Sequence, residues 1–546
     1  MVGVEERLPN YNSDEVQMSV EEPKNRVLSS LLLAPIYWFK MLAKELHWSI
    51  VFGVIIVYGA SQGLGGSLAR VGTQYYMKDV QRVQPSEAQV YTGITSIPWI
   101  VKPIWGLLTD VVPISGYQRR PYFVFAVCQF PMLGDRFRCR AASFRCRATK
   151  FGAVRPVSDA GRPSPVFSGS LGFIAMLFLW LHKNLHIVLA LLALTAASAS
   201  VAIADVTVDA CVAQKSGIHP SLAADMQSLC ALSSSIGSLV GFSFSGIFVH
   251  LIGPQGVYGL LTLPSGLVFL VGVLLKEHRS SSFAYQQINQ SFVNAGKAMW
   301  KTLKYPEVWR PCLYMYLSFS LSLNISEGMF YWATDSESGP MFSKEIIGYI
   351  MGIGSIGSLL GAVLYQYGLK DYPFRDLLFW AQTLSCLSGI LDLALVLRWN
   401  LKLGIPDIFF VVVDSSVSQL IGRLKWMPLL VLSSKLCPPG IEGTFFALLM
   451  SIDNAGLLTS SWLGGLLLHV LNVTRTRFNN LWLAVLIRNI MRVGVLFLLV
   501  LVPRADPNRS ILPEELVLDS KEVEENRVGE NVELVALVNG TDGNGG

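Results

Sequence analysis

The chain has 546 residues, of which 52% are hydrophobic and only 15% are charged. Soluble domains carry about 25% charged residues, and the mean hydropathy of +0.46 is too apolar for a water-soluble fold. This composition argues strongly against a soluble enzyme. Eight scattered cysteines do not indicate a disulfide scaffold, and none of them has a Cys-x2-Cys zinc spacing.

The formal net charge of +5 is concentrated in one segment of the chain. Residues 134–162 hold eight basic and two acidic side chains, so the remaining residues together carry a net charge of −1. No basic field covers the whole molecule to attract nucleic acid. The sequence therefore predicts no nucleic-acid partner, no cofactor and no metal, and the basic segment needs its own explanation.

Long apolar runs recur along the chain between short polar connectors. A membrane helix needs about 20 mostly apolar residues, and eleven segments meet this condition: 48–68, 91–110, 185–204, 226–250, 255–275, 309–332, 345–367, 374–397, 406–433, 442–470 and 481–503. A twelfth span is predicted between 121 and 181, where an apolar pattern begins at 121–126, is interrupted, and resumes at 169–181. The expected fold class is an all-α integral membrane protein with twelve transmembrane helices, the third of them interrupted.

The basic residues of the connectors predict the orientation of these spans. With a cytosolic N-terminus, most Lys and Arg side chains fall in inner connectors, and the predicted outer connector 251–254 has none. Both tails, 1–46 and 504–546, then lie in the cytosol, and the acidic second tail is expected to be disordered. The first 26 residues hold six acidic and three basic side chains, unlike a secretory signal or an organellar transit peptide. We therefore expect the plasma membrane or an endomembrane rather than the chloroplast envelope.

The longest gap between predicted spans, 276–308, lies near the middle of the chain. It predicts an N-terminal six-helix bundle over 47–275, a central cytosolic loop and a C-terminal bundle over 309–503. This is the plan of major facilitator transporters, whose halves rock around a site at the bilayer midplane.

A conformational gate is predicted where the second span ends. Gly106 and Asp110 occur there, followed in the next connector by Arg119 and Arg120. A small residue allows close backbone approach, and the aspartate could pair with a nearby arginine in only one of two rocking states. A plain helix cap followed by cytosolic arginines is the alternative.

Two acids lie in the fourth predicted span. Asp205 and Asp209 are four residues apart, so both carboxylates fall on one helical face. Ionisable groups inside a span are costly and usually mark a pathway or a pair. Two coupled acids suit a group that takes up and releases a proton. The alternative for Asp209 is that it caps the helix end at the membrane interface.

Further ionisable side chains lie in other spans. Span ten has one stripe with Asp414 and Lys425 and another with Arg423, and such a polar helix persists in lipid only when it lines a cavity or pairs internally. We expect some of these charges to be structural pairs. The residues expected to couple protons or contact substrate are Asp205, Asp209, Asp414 and Glu327, and those expected to bind substrate anions are Lys102, Arg423, Lys425, Arg488 and Arg492.

Together these side chains predict one aromatic-rimmed cavity that carries both signs of charge. Such a cavity suits a ligand with charged parts and a flat aromatic part. Arginine would hold carboxylates of that ligand through its forked donors. A protein carboxylate could accept from the adjacent amino and ring N–H groups of a pterin. The spacing alone does not select a pterin over a sugar or an amino acid.

Six motifs resemble the plant branch of the folate-biopterin transporter family: Tyr75-Tyr-Met-Lys-Asp79, Gln84-Pro-Ser-Glu-Ala88, Pro98-Trp-Ile-Val-Lys-Pro-Ile-Trp-Gly-Leu-Leu-Thr-Asp110, Ala204-Asp-Val-Thr-Val-Asp-Ala210, Leu222-Ala-Ala-Asp-Met-Gln-Ser228 and Gly422-Arg-Leu-Lys-Trp-Met-Pro428. The likeness runs over residues 46–515, except for the basic segment. It implies a major facilitator fold in a lipid bilayer and movement of folates or pterins, with protons, by alternating access. It implies no enzyme activity and no particular oligomer. A carrier of another small metabolite and a non-transporting membrane protein are the alternatives.

Residues 127–168 depart from this family pattern. They contain Phe-Arg-Cys-Arg at 137–140 and again at 144–147, without a hydrophobic period. Each Arg or Lys at the centre of a span costs about 2.5–3.5 kcal/mol, so this segment is expected to lie in water on the cytosolic side. Removing it joins 121–126 to 169–181, which makes one span of about 19 residues. We interpret the segment as retained non-coding sequence or a gene-model error.

Overall fold

The computed structural model describes residues 38–111, 122, 171–218, 223–275, 296–297, 299–335, 337, 339–437 and 442–504. All regular structure in these ranges is helical. The basic segment 127–168 and the pair Arg119 and Arg120 lie outside the described residues. Residues 1–51 and 52–546 form two compact units, and the first is described only from residue 38, with a helix over 38–46.

Seven helices are described between residues 48 and 275: α1 (Trp48–Val80), α2 (Pro85–Thr95), α3 (Ile97–Ile100), α4 (Lys102–Val111), α5 (Leu171–Leu181), α6 (Ile187–Ile218) and α7 (Ala223–Leu274). Helix α1 includes two π-helical stretches, Ile55–Gly65 and Tyr76–Val80. Helix α7 covers 52 residues, more than one crossing needs, and consists of two helices that meet at a kink. Gly253, with a positive φ of 75°, interrupts it just before Pro254. This break lies within the predicted connector 251–254.

Eight helices are described from Pro306 onward: α8 (Pro306–Ser320), α9 (Ser326–Asp335), α10 (Lys344–Leu369), α11 (Phe374–Val396), α12 (Trp399–Lys402), α13 (Asp407–Lys435), α14 (Glu442–Val470) and α15 (Leu481–Leu501). Within the described part of the chain, six helices are long and apolar enough to cross a membrane, namely α1, α6, α7, α10, α11 and α15. This confirms an all-helical protein with several apolar spans.

The predicted span 91–110 is divided into the three short helices α2, α3 and α4. Its sequence explains the division, because Pro98 and Pro103 lack the N–H groups that a continuous helix requires. The last of these helices begins at Lys102, directly after the break.

The predicted span 309–332 is also interrupted, between Ser320 and Ser326. Leu323 has a positive φ of 39° in this break. The backbone N–H of Asn324 donates to the carbonyl and hydroxyl oxygens of Ser460, at 3.1 and 3.0 Å. Helix α14 therefore supplies hydrogen bonds that the interrupted helix cannot provide, as an apolar environment requires.

Small residues bring the two halves of the chain into close backbone contact. Helix α7 packs on α1 and on α10, and α14 packs on α2 and on α8. A Cβ atom on Gly246 would lie 2.1 Å from the carbonyl oxygen of Lys344, and one on Gly465 would lie 2.9 Å from that of Ser86. Larger side chains at these positions would separate the helices, so the sequence pattern of small residues determines how closely they pack.

Candidate functional site

The first buried charged group lies between α1, α4 and α6, and we call it the paired centre: Lys102, Asp205 and Gln62. The Lys102 ammonium donates to Oδ2 of Asp205 in an ion pair. The Gln62 amide donates to the other carboxylate oxygen at 2.5 Å, and Asp205 is only 4% exposed. Both oxygens of this carboxylate therefore have donors from the protein itself.

Trp99 and Asp209 extend the paired centre. The Lys102 ammonium lies 4.8 Å from the centroid of the Trp99 ring, a cation–π distance. Asp209, one turn further along α6, is exposed and accepts a hydrogen bond from the Tyr58 hydroxyl. The two acids of α6 thus share a face, as their spacing predicts, and each has its own donor on α1.

The predicted gate lies partly outside the described residues. Gly106 is in α4, where a Cβ atom would lie 3.5 Å from Val206 of α6. Asp110 belongs to the same helix, but the placement of its side chain, like Arg119 and Arg120, is outside the described part of the structure. The gate at these residues stays a prediction.

The second buried group lies between α8, α13 and α14, and we call it the open centre: Lys425, Asp453 and Ser318. The buried Lys425 ammonium donates to the Ser318 carbonyl at 3.2 Å and lies 5.4 Å from the Phe319 ring centroid. Ser318 is in the last turn of α8, where carbonyl groups lack helical donors. The interruption after α8 therefore creates the acceptor that holds this lysine.

Asp453 contributes an unusual carboxylate to the open centre. It is 5% exposed and lies within electrostatic range of Lys425. Neither of its oxygens has a hydrogen-bond partner among the described residues. The paired and open centres thus each contain a lysine and a buried aspartate, but the aspartate has hydrogen-bond donors only in the paired centre, among the described residues.

A third charged group lies between α11, α13 and α15. Arg488 donates to Asp392 at 2.6 Å. Asp414 is 7% exposed, lies beside this pair, and has one oxygen without a partner in the described residues. Arg492 donates to the Ser385 carbonyl at 3.5 Å. Two of the predicted anion-binding arginines therefore make contacts within the C-terminal half.

The polar stripe of α13 reaches two of these groups. Asp414 and Lys425 are eleven residues apart, a separation of about 16 Å along the helix, so they do not share one site. Arg423 faces a different neighbour, because its Nε donates to the Ser358 hydroxyl at 3.1 Å and its guanidinium lies 5.5 Å from the Trp426 ring centroid.

One hydrogen bond joins a neighbour of the open centre to a neighbour of the paired centre. Asn454, next to Asp453, donates its side-chain amide to the carbonyl of Trp99 at 3.4 Å. Trp99 in turn contacts Lys102. A residue beside the open centre and a residue beside the paired centre are therefore in contact across the two halves.

Glu327 makes a second buried connection between the halves. Its Oε1 accepts from the Gln74 amide at 3.2 Å, and its backbone N–H donates to Oε1 of Gln89 at 3.0 Å. Gln74 belongs to α1 and Gln89 to α2, whereas Glu327 belongs to α9. The glutamate is therefore held between helices of both halves.

Further polar contacts join the halves where α1 ends and α10 begins, and we call them the end contacts. Asp79 lies 3.6 Å from the ammonium groups of both Lys78 and Lys344, and Lys78 donates to the Thr334 hydroxyl at 3.3 Å. His250 and Glu345 are 2.8 Å apart. Sequence reasoning missed these residues because they lie at helix ends, where charges are common. The motif Tyr75-Tyr-Met-Lys-Asp79 was the signal that could have pointed to them.

The fold places the chain in a known class of membrane proteins. It is similar to the solved structures of the nucleoside transporter NupG, with a TM-score of 0.55, 13% identity and coverage of 84% of this chain and 98% of that chain. A D-xylose-proton symporter has a TM-score of 0.55 at 12% identity, with 84% and 97% coverage. The chain is thus a multi-pass membrane protein with the fold of major facilitator transporters.

The chain belongs to the BT1 family, whose model matches residues 62–132 and 159–516. It is 56% identical over 99% of its length to the whole of "Probable folate-biopterin transporter 2" of Arabidopsis thaliana. It is 30% identical to the "Folate-biopterin transporter" of Synechocystis, with 86% of this chain and 84% of that protein covered. The predicted family is confirmed, and membership of a transporter family agrees with the expectation that the chain is not an enzyme.

Proposed function

We propose that the chain is a secondary active transporter that carries folates or pterins across a membrane by alternating access. The observation that carries this proposal is the contact between the halves beside the two charged centres, where Asn454 donates to the Trp99 carbonyl and the Lys102 ammonium lies near the Trp99 ring. Membership of the BT1 family and the names of its relatives supply the ligand class. The mixed charges and the rings of Trp99 and Phe319 suit a ligand with carboxylates and a flat aromatic part.

Twelve spans in two bundles, over 47–275 and 309–503, are part of this proposal. Helix α7 would supply two spans on either side of Gly253. The broken segments α2–α4 and α8–α9 would each form one discontinuous span, and such spans bind substrates or ions in several transporters. Helix α5 would complete the third span together with residues 121–126.

The end contacts support an arrangement that is closed on one side. With a cytosolic N-terminus, α1 ends at the outer surface, so Asp79 and Lys344 would close the path to the outside. Glu327, which is held between helices of both halves, would close the same path further inside the membrane. In alternating access these contacts must separate while others form at the inner end.

Proton coupling by Asp205 is the finer part of the proposal. A proton bound to this carboxylate would remove its charge and release Lys102, which could then hold a ligand carboxylate. Asp209, Asp414 and Glu327 are further candidates for this role. Arg423, Lys425, Arg488 and Arg492 are the remaining candidates for holding anionic parts of the ligand, and of these Arg488 would first have to leave its ion pair with Asp392.

Uptake of labelled folate and labelled pterin into transport-deficient cells tests the function directly. Wild type should accumulate at least one of them above cells that lack the chain. Asp205→Asn should abolish the difference between uptake at acidic and at neutral pH, whereas Asp371→Asn, a change of an exposed connector acid, should not. Unchanged uptake and unchanged pH dependence in Asp205→Asn would remove Asp205 from the mechanism.

A thermal-shift panel on the purified chain separates this function from the alternatives. A ligand that prefers the folded state must raise its stability. A shift with a sugar or an amino acid, and none with any pterin, would favour a carrier of another metabolite.

The basic segment has its own test. We propose that residues 127–168 lie in the cytosol and take no part in transport, which agrees with the gap at 133–158 in the family match. Transcript sequencing should give a message without these codons. If the message retains them, strong uptake by the full chain that is lost on deletion would show that the segment is functional.

A further inference from the structure

The carboxylate of Asp453 is the buried group that the proposed mechanism leaves unused. Both of its oxygens are inaccessible and without partners in the described part of the chain. Burying a carboxylate without hydrogen bonds costs several kcal/mol. A buried polar group of this kind in a folded protein calls for an explanation, and a functional role is one of them.

Lys425 does not satisfy the hydrogen-bonding capacity of the Asp453 carboxylate. It lies within electrostatic range of Asp453, so its charge offsets that of the acid. Its ammonium donates to the Ser318 carbonyl instead, and no ion pair joins the two side chains among the described contacts. The charge of Asp453 is therefore partly compensated while its hydrogen-bonding capacity is unused.

A bound proton would not satisfy the hydrogen-bonding capacity of Asp453 either. It would remove the charge, but the resulting carboxylic acid carries a hydroxyl donor and a carbonyl acceptor that both need partners. Two N–H groups side by side would satisfy both oxygens at once, as bidentate donors do for carboxylates. Asp414 differs here, since only one of its oxygens lacks a partner.

The position of Asp453 fits contact with a transported ring. It lies on α14, the helix that packs on α2 of one half and on α8 of the other. The next residue, Asn454, contacts the Trp99 carbonyl, and the Phe319 ring lies beneath Lys425. A cation is thus close to an acceptor of two hydrogen bonds, and aromatic residues contact the neighbours of that acceptor.

We propose that Asp453 determines substrate specificity by accepting two hydrogen bonds from a heteroaromatic ring with adjacent N–H donors, such as the amino and ring N–H groups of an aminopyrimidinone. This inference rests on the proposed function, since it assigns one part of a pterin to one side chain. Lys425 compensates the carboxylate charge, and the ring supplies the missing donors.

Binding of pterin and of lumazine to the purified full chain tests this assignment. Lumazine carries an oxygen in place of the pterin 2-amino group, so it lacks the adjacent pair of donors. Hydrogen bonds to a charged group are worth about 1.5–3 kcal/mol, which corresponds to roughly 10- to 100-fold in affinity. Wild type should prefer pterin by that factor, and Asp453→Asn should bring the two affinities close together.

Two further variants separate recognition from a structural role. Asp453→Glu keeps both acceptor oxygens and should retain a preference for pterin. Asp371→Asn removes an exposed acid and should leave the preference at the wild-type value. If Asp453→Asn does not fold, the preference in wild type and Asp453→Glu, and its loss in Asp453→Ser, provide the same comparison.

The outcomes distinguish this inference from the proposed function. Wild type that binds pterin, with an unchanged pterin-to-lumazine ratio in Asp453→Asn, overturns the role of Asp453 alone. If Asp453→Asn changes only the pH dependence of binding, the proposed role of Asp453 in recognition is also overturned. That result would indicate that this residue binds a proton instead. Wild type that binds neither ring overturns both proposals.

Discussion

The paired centre and the open centre each contain a lysine and a buried aspartate but differ in how these charges are satisfied. In the paired centre, Lys102 and Gln62 donate to the two oxygens of Asp205. In the open centre, Lys425 donates to a backbone carbonyl and Asp453 has no donor within the described residues. An ionisable residue in a membrane span can therefore complete the protein's own structure or remain available for a ligand, and sequence position alone does not distinguish the two.

The difference arises from the broken helices. The break before α4 places Lys102 at a helix start facing α6, where it meets Asp205. The break after α8 leaves the Ser318 carbonyl without a helical donor, and the Lys425 ammonium donates to it rather than to Asp453. Backbone discontinuity thus decides which acceptor each lysine meets, and the Gln62 side chain supplies the second donor that the open centre lacks within the described residues.

The largest loss of stability is expected from breaking the ion pair of the paired centre. Lys102→Met would leave Asp205 buried without its cation, which costs about 3–5 kcal/mol. The expected result is a strongly lowered unfolding temperature in detergent. Adding Asp205→Leu should recover much of the loss, and a double variant no more stable than Lys102→Met would contradict the comparison.

A smaller loss is expected from Gly464→Ala at the break that forms the open centre. A Cβ atom there would lie 1.8 Å from the Asn324 carbonyl oxygen, so α14 and the interrupted backbone must move apart. Overpacking of this kind costs about 1–3 kcal/mol, measurable by thermal unfolding. Gly494→Ala is the matched control, since nothing lies within 4 Å of its Cβ position; equal losses in both variants would exclude the close contact as the cause.

The two aspartates should respond to the same substitution in opposite directions. Asp205→Asn removes one partner of an ion pair and should destabilise the protein. Asp453→Asn removes a charge without hydrogen bonds and should raise its stability by about 1 kcal/mol. Thermal unfolding of the two variants without ligand gives the measurement, and a loss of stability in Asp453→Asn would show that this centre is satisfied after all.

The smallest loss of stability is expected from a substitution at the end contacts. Lys344 is about one third exposed and lies 3.6 Å from Asp79, so solvent screens the interaction and Lys344→Gln should cost less than about 1 kcal/mol. The main consequence of Lys344→Gln should be a shift toward the transport state in which the end contacts are separated. A cysteine introduced at Thr334 should report this shift as increased labelling. Lys370→Gln, which changes an exposed connector lysine, should leave this labelling unchanged.

Much of the architecture could be predicted from the sequence. Apolar runs located the long helices, and the connector 251–254 was placed at the kink that Gly253 forms. The prolines of span two were visible, but the division of that span was not predicted. The spacing of Asp205 and Asp209 placed both on one face of α6, while their donors Gln62 and Tyr58 were not identified.

The sequence by itself determined the membrane class, the family and the set of charges that require an explanation, because hydropathy and local motifs depend on residues close together in the chain. Only the tertiary structure decided which charges pair, since this depends on which helix faces meet and where the backbone is interrupted. Arg488 pairs with Asp392, a residue that no local pattern singled out. Asp453, conversely, has unused acceptors because the break after α8 gives its neighbouring lysine another partner.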